Sequence, residues 1–428
     1  MSKKLVLLEL NEINFDYVKK YIDMGIELKG FNLLFNKGII KTSSEEKYEL
    51  LEPWIQWPSV HTGMTYNEHK IFRLGDIINF NHNQIFEKVE SLGFNVGAIS
   101  PMNASNRMTN ATYFIPDPWT NTEADKSFLS RKLAKALNQA VNDNSSSKLT
   151  PNTIATLCIS FIALVSPLRW IPLSLFALSC YKKPWRKALF LDKFLFEIHK
   201  RLFKKGNTDF TTLFLNAGAH IQHHYFFNSQ AMEIQSLKNP EWYIKCEEDP
   251  FLEMIKEYDK MIQDITSLKD IEVIISTGLS QKPYDELKYY YRLKDHKEFL
   301  GIFDIPFEDI SPRMTRDFLV EFKSSKEALL AKEKLEMIKV NHTIKLFEEI
   351  EIRDNELFIV LTYPNKIDND TTISFEDNIL KLKSLVTFVA IKNGEHQSKG
   401  FAYFSDGLKK YQINEEQHVS NIHNSIFS

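Results

Sequence analysis

Residues 213–227 read LFLNAGAHIQHHYFF, an apolar run that breaks at Asn216 into a segment holding three histidines. The run that leads into it, FTTLFLNAG (210–218), is β-branched and apolar without a charge and closes on a polar, glycine-containing loop, as a buried parallel strand does. His220 and His224 stand four residues apart, so on a helix they share a face, and that spacing suits two ligands of one metal. His223 then points toward a substrate, or pairs with His220 in the alternative three-residue spacing. The same imidazoles are also suited to proton transfer, or to a purely structural place at a helix end.

The pattern repeats along the chain. KLVLLEL (4–10), FNVGAISP (94–101) and IEVIISTGL (271–279) are further apolar runs ending in polar or glycine-rich loops. NFDYVKKYIDMG, DKFLFEIHKRLFKK and DPFLEMIKEYDKMIQDITSLKD have helical spacing. Strands alternating with helices predict a doubly wound, mostly parallel α/β sheet sandwiched by helices. Ligands of such sheets sit beyond the carboxyl ends of the strands, where Asn11, His220 and Thr277 fall. From about Met314 to Pro364 the texture changes to a β-α-β pattern, read as a small α+β cap. The expected division is a core over 1–284, a cap over 285–365, and a return to the core over 366–428. NDNSSSKLTPN (142–152) reads as a linker.

Residues 153–181, TIATLCISFIALVSPLRWIPLSLFALSCY, carry Arg169 as their only charge, and KKPWRK follows. A membrane span needs about 20 apolar residues, but Pro167, Arg169 and Pro172 interrupt this run. Two packed helices, an interfacial hairpin on anionic lipid and a transmembrane helix all remain open readings of an apolar helical insertion near 150–200. Peripheral membrane contact, if made, runs through 153–187.

Composition narrows the classes. The 428 residues are 43% hydrophobic and 25% charged with net charge −3, so no basic field points to nucleic acid. Three cysteines without paired spacing argue against a disulfide framework. The N-terminus mimics a signal peptide, but its apolar stretch is short and interrupted by Glu9, Asn11 and Glu12. A cytoplasmic protein, with any membrane contact on the inner face, is expected.

Two more stretches are candidates for chemistry. LEPWIQWPSVHTGMTYNEHKIFRLGD (51–76) is dense in aromatic and polar groups. Its SVHTGM is read as a helix start, with Ser59 or Thr62 near an anion-favouring N-terminus. NGEHQSKGFAYFSDG (393–407) places His396 in a turn before a strand.

In their order, these motifs resemble the alkaline phosphatase superfamily, especially its phosphodiesterase/nucleotide pyrophosphatase-like branch, from Leu5 to about Gly407. The departures are as informative as the matches. Asn11 stands at the first metal-binding aspartate, Gln56 at the nucleophile, and Thr277 with Gly278 at a metal-binding Asp-His pair. The resemblance thus implies the loss of one metal site of the usual two, since Asn, Gln and Thr are poor ligands. At the other site it matches His220, His224 and His396, three imidazoles for at most one divalent metal, Zn or Mn.

The expected function is that of a divergent phosphodiesterase- or phosphatase-like enzyme, a hydrolase or transferase. Its substrate would be a phosphorylated small molecule, a nucleotide-sugar or a lipid-linked glycan, as in bacterial surface-polysaccharide assembly. His220, His223, His224 and Gln56 are the expected catalytic groups; Asn11, Glu9, Trp57, His61, Arg73 and Thr277 are expected to contact substrate. Two alternatives stand beside it. One is a glycosidase or glycosyltransferase on a repurposed scaffold, with Trp54 and Trp57 stacking on sugars and Glu9, Glu12 and Glu52 as carboxylates. The other is an inactive binding protein. No feature of the sequence sets an oligomeric state.

Overall fold

The structure is a computed structural model that describes residues 4–142, 149–232, 237–312, 316–375 and 378–427, so most of the expected linker (143–148) lies outside the described residues. The chain forms two compact units, Met1–Pro283 with Gly394–Ser428, and Tyr284–Asn393.

The larger unit is built on a seven-stranded sheet. Its strands are β1 (Lys4–Leu10), β2 (Ile39–Thr42), β3 (Val96–Ile99), β4 (Tyr113–Ile115), β5 (Phe210–Leu215), β6 (Ile271–Ser276) and β9 (Gly400–Phe404). Their order is β2-β9-β6-β1-β5-β3-β4. β1 runs parallel to both β5 and β6, and β3 parallel to β5 and β4. β9 alone runs against its neighbours. The continuous apolar runs have the expected cause: from Leu5 to Leu10 every residue of β1 is buried, because both faces of the sheet are covered. Alternate residues feed opposite layers. Leu5, Leu7, Phe210 and Phe214 join Trp57, Phe86 and Phe114 in one core.

The helices that bear on the site are α1 (Phe15–Asp23), α2 (Pro53–Thr62), α5 (Arg186–Lys205), α6 (Ala217–Tyr225) and α7 (Pro250–Thr266). The apolar insertion is two helices, α3 (Pro151–Leu164) and α4 (Pro167–Ser179), which pack along α5. Pro167 starts α4 as its first residue, where its missing N–H costs nothing. No helix among the described residues is long and apolar enough to cross a membrane.

Two strands, β7 (Ser280–Leu293) and β8 (Val386–Gln397), pair with each other and carry the chain into and out of the second unit. His396 therefore sits in a strand and not in the expected turn. The second unit holds two four-stranded sheets and the helix Ser325–Met337. It runs to Asn393, whereas the sequence reading returned to the core at 366. Its strands Asp317–Glu321 and Glu356–Val360, on either side of that helix, pair antiparallel. The β-α-β pattern here is therefore not a parallel crossover, because the hairpin partner Glu349–Arg353 precedes Glu356–Val360.

Candidate functional site

The carboxyl ends of β1, β5 and β6 meet at one place, and polar residues tie them together. Asn11 N–H donates to Leu215 O (3.0 Å) and Glu12 N–H to Thr277 O (3.0 Å). The Asn11 side-chain amide donates to Asn216 Oδ1 (2.8 Å), while Trp57 Nε1 donates to Asn11 Oδ1 (2.7 Å). Glu12 takes a left-handed backbone, φ 62°, which side-chain-bearing residues adopt rarely and at a cost. Its carbonyl accepts from Gln281 N–H (3.2 Å) and from Gln222 Nε2 (2.9 Å), so the strained turn is fixed on every side.

That turn aims the Glu12 carboxylate at two imidazoles. Glu12 Oε2 lies 3.1 Å from His223 Nε2 and 3.0 Å from His396 Nε2, and the two Nε2 atoms are 3.1 Å apart. Asn11 Nδ2 donates to the other oxygen, Oε1 (3.2 Å), and Gln281 Nε2 donates to Oε2. Each imidazole is held from behind. His223 Nδ1 faces the Gly394 carbonyl at 3.4 Å, and His396 Nδ1 faces Glu52 Oε2 at 3.6 Å, with a hydrogen bond to Leu51 besides. Among the described residues, Glu12, His223 and His396 form the one group with the spacing of a metal site.

Electrostatics explains why a cation belongs there. Burial alone pushes the Glu12 carboxyl up, but the facing His396 and His223 rings override it and hold it well below the usual carboxylate range. Burial disfavours a charged His396, yet Glu12 and Glu52 raise it to about 9. Three lone-pair donors this close need a proton or a metal between them. Ligands about 2.0–2.1 Å from a tetrahedral zinc stand roughly 3.3 Å apart, a few tenths of an ångström wider than the trio. Backbone or carboxylate groups behind both rings are the usual second shell of metal-bound histidine. The donor set fits one divalent ion.

Other residues set the rotation of α6, and with it which histidine joins the trio. Asp192 on α5 accepts from the first free amides of α6, Asn216 N–H (3.1 Å) and Ala217 N–H (2.7 Å), and from the Tyr258 hydroxyl. It caps the helix from outside, supplying negative charge at the positive end. Burial nonetheless pushes its pKa up to about 6. A folded-state pKa above the ordinary 3.8 means that this group's contribution is present in full below about pH 4 and is lost as pH rises through 6. That is about 3 kcal/mol at 1.36 kcal/mol per unit. Asp192→Asn lacks this contribution and keeps those of all other groups. The gap in urea midpoint between wild type and variant should therefore change between pH 4 and pH 7; a constant gap refutes the assignment.

Gly218 lies where α6 crosses the β1 turn. A Cβ there would meet Ile13 Cγ1 at 2.4 Å and Asn11 O at 3.1 Å. Gly218→Ala is expected to cost about 1–3 kcal/mol by overpacking. It should also weaken metal uptake by shifting Asn11–Glu12, as read by urea unfolding and metal titration on the same sample.

The structure brings some expected site residues together and disperses others. His220 and His224 do share a face of α6, ring centroids 4.9 Å apart, but His396 joins His223 and Glu12 instead of them. The metal set of His220, His224 and His396 is corrected accordingly. Burial lowers His220 to about 4. Asn11 is at the site, as a positioning residue for Glu12. Gln56, at the nucleophile position, is buried in α2 with its amide donating to Leu50 O (2.9 Å). Trp57 is fully buried, in edge contact with Phe214. Glu9 and His61 are buried against each other, Oε1 to Nε2 2.8 Å. All four, Gln56, Trp57, Glu9 and His61, are in the interior and reach no surface. The Thr277 hydroxyl accepts from Phe401 N–H (2.9 Å), which makes it a strand clamp. Arg73 is exposed on its loop, with its amide bonded to Asp76 (2.7 Å), and is not part of the trio. Ser59 and Thr62 lie in the second half of α2, where their hydroxyls donate to the Ile55 and Pro58 carbonyls, so neither sits at a helix N-terminus.

No protein-family model matches the chain, and no curated protein does. Solved structures of similar outline include murine ectonucleotide pyrophosphatase/phosphodiesterase 5, at 10% identity and TM-score 0.44, covering 99% of this chain and 94% of that one. Phosphonoacetate hydrolase from Sinorhizobium meliloti 1021 follows at 9% and 0.43, with 100% and 96% covered. Alkaline phosphatase from the Antarctic bacterium TAB5 stands at 9% and 0.42, with 100% and 98% covered. All three belong to the alkaline phosphatase superfamily. At such identities no residue role passes from them to this chain.

Proposed function

We propose that Glu12, His223 and His396 hold one divalent cation, Zn or Mn, and that the protein is a one-metal enzyme acting on phosphoesters. The observation that carries this reading is the convergence of Glu12 Oε2, His223 Nε2 and His396 Nε2 at 3.0–3.1 Å on a strained, fully braced turn. One carboxylate and two neutral imidazoles leave a divalent ion with one net positive charge, which favours an anionic oxygen of the substrate. The His223 side chain is 30% exposed, so the trio opens to solvent on that side.

When bound, the ion supplies Lewis-acid polarisation of a phosphoryl oxygen and acidifies bound water. The chain supplies the rest. The Gly394 carbonyl fixes the His223 tautomer so that Nε2 faces the site, and Asn11 and Gln281 orient the Glu12 carboxylate. The Ser59 hydroxyl is bonded to the Ile55 carbonyl and lies 3.0 Å from His69 Nε2, and the Thr62 hydroxyl is bonded to the Pro58 carbonyl, so this reading assigns the attack to water. The sugar-active alternative loses Trp57, which is in the core.

The test is release of phosphate or alcohol from a panel of phosphomonoesters, phosphodiesters, nucleotide-sugars and lipid-linked sugar phosphates, with the protein loaded with Zn or Mn. Turnover that follows metal loading supports the proposal. A metal-loaded protein inert toward the whole panel refutes the enzymatic part.

A further inference from the structure

The α3–α4 pair leaves a broad apolar surface uncovered. Ile159 and Ile162 on α3, with Leu168, Ile171, Leu175 and Leu178 on α4, are between 59% and 88% exposed. The α4 residues follow a spacing of three, four and three, a single stripe along the helix. The opposite side faces the protein: Leu164 and Leu173 are buried, and Arg169 Nε reaches Glu197 on α5 at 2.9 Å. One face of the pair is thus anchored and the other is bare. Exposed apolar patches of this kind mark interaction sites.

Charge and composition identify the occupant. From Leu149 to Leu191 the chain has no Asp or Glu, while it has Arg169, Lys182, Lys183, Arg186 and Lys187. Three of these five are tied to acids outside the stretch, Arg169 to Glu197, Lys183 to Glu248 and Arg186 to Glu253. Lys182, just past the end of α4, and Lys187, in the first turn of α5, are exposed. Protein interfaces favour Trp, Tyr and Arg and carry about one hydrogen bond per 100–200 Å², whereas the stripe is aliphatic, and the aromatic at its end, Tyr181, is 93% exposed beside Lys182, where a ring suits the headgroup level. The helices have 14 and 13 residues, short of the roughly 20 needed to cross a bilayer. An aliphatic face with a basic rim, lying flat, matches the interfacial zone of an anionic membrane.

We infer that the α3–α4 face docks the protein on an anionic lipid bilayer, its aliphatic stripe in the interface and Lys182 and Lys187 against the headgroups. The inference is independent of the metal site.

Flotation of the intact protein with phosphatidylcholine vesicles, with and without phosphatidylglycerol, tests it. Wild type is expected to float with the mixed vesicles. Ile171→Glu/Leu175→Glu should reduce the floated fraction about tenfold or more on both vesicle types. Lys182→Glu/Lys187→Glu should reduce it about tenfold on the mixed vesicles only, and added salt should mimic that loss. Both variants change exposed positions and should keep the wild-type thermal midpoint and metal content, which separates lost docking from lost folding. Wild type that floats with neither vesicle overturns the inference, as does flotation unchanged by Ile171→Glu/Leu175→Glu. A third outcome would also overturn it: a wild-type dimer in sedimentation, dispersed by Ile171→Glu/Leu175→Glu and indifferent to lipid, would make the face a contact between copies.

Discussion

Glu12→Gln is expected to strip the protein of its metal. Wild type dialysed against Zn or Mn should retain about one equivalent, and the variant should bind at least about 100-fold more weakly, since even second-shell changes cost 10–100-fold. The substitution preserves side-chain volume and leaves Asn11 and Gln281 in place, so what it removes is the negative charge between two imidazoles. His396→Ala should have an effect of the same size. His220→Ala is the decisive companion. The family resemblance grouped His220 with His224 and His396, whereas the geometry places His220 outside the trio. Metal emission measurements on the three variants separate the two sets. Loss of metal in His220→Ala equal to that in Glu12→Gln would sink the assignment, as would a full equivalent retained by Glu12→Gln.

The contrast between those histidines shows what sequence can carry. The apolar runs at 4–10, 210–215 and 271–276 are strands because central parallel strands are buried on both faces, a property that hydrophobicity alone records. The four-residue spacing of His220 and His224 correctly implied a shared helix face. Which face of α6 meets the site is a different quantity. It depends on Asp192 capping from α5, 24 residues earlier in the chain, and on Gly218 fitting under Ile13. No local periodicity encodes either contact. Glu12 was legible as a polar residue after the first strand and, with Glu9 and Glu52, as a candidate carboxylate, but not as the partner of two histidines. Its place in the trio depends on a left-handed backbone held by Thr277, Gln222 and Gln281, all more than 200 residues away. The adjacent Asn11, after the end of β1, braces Glu12 through its side-chain amide. Gln222, lying between the histidines, and Gln281, after β6, went unread because a buried glutamine has no pattern until its partners are known.

The buried Glu9–His61 pair gives the second large effect and separates structural residues from substrate-binding ones. Both side chains are fully buried, bonded at 2.8 Å, and each retains one atom without a partner, Glu9 Oε2 and His61 Nδ1. Glu9 is on the central strand and His61 is on α2, its ring 5.2 Å from that of Phe86. Removing one member of such a pair leaves a polar group in a low-dielectric interior with no water to replace its partner. His61→Leu should therefore destabilise the larger unit by about 3–5 kcal/mol. Replacing both members by apolar groups of similar volume removes the desolvation cost with the bond, and such replacements are often neutral or stabilising. Glu9→Leu/His61→Leu should thus unfold in urea well after His61→Leu and close to wild type, with metal content intact. The ordering of the midpoints decides the matter even if the two units unfold separately. If instead Glu9 and His61 served mainly to contact substrate, as expected from the sequence, the double variant would lose phosphoester turnover and would regain no stability over His61→Leu.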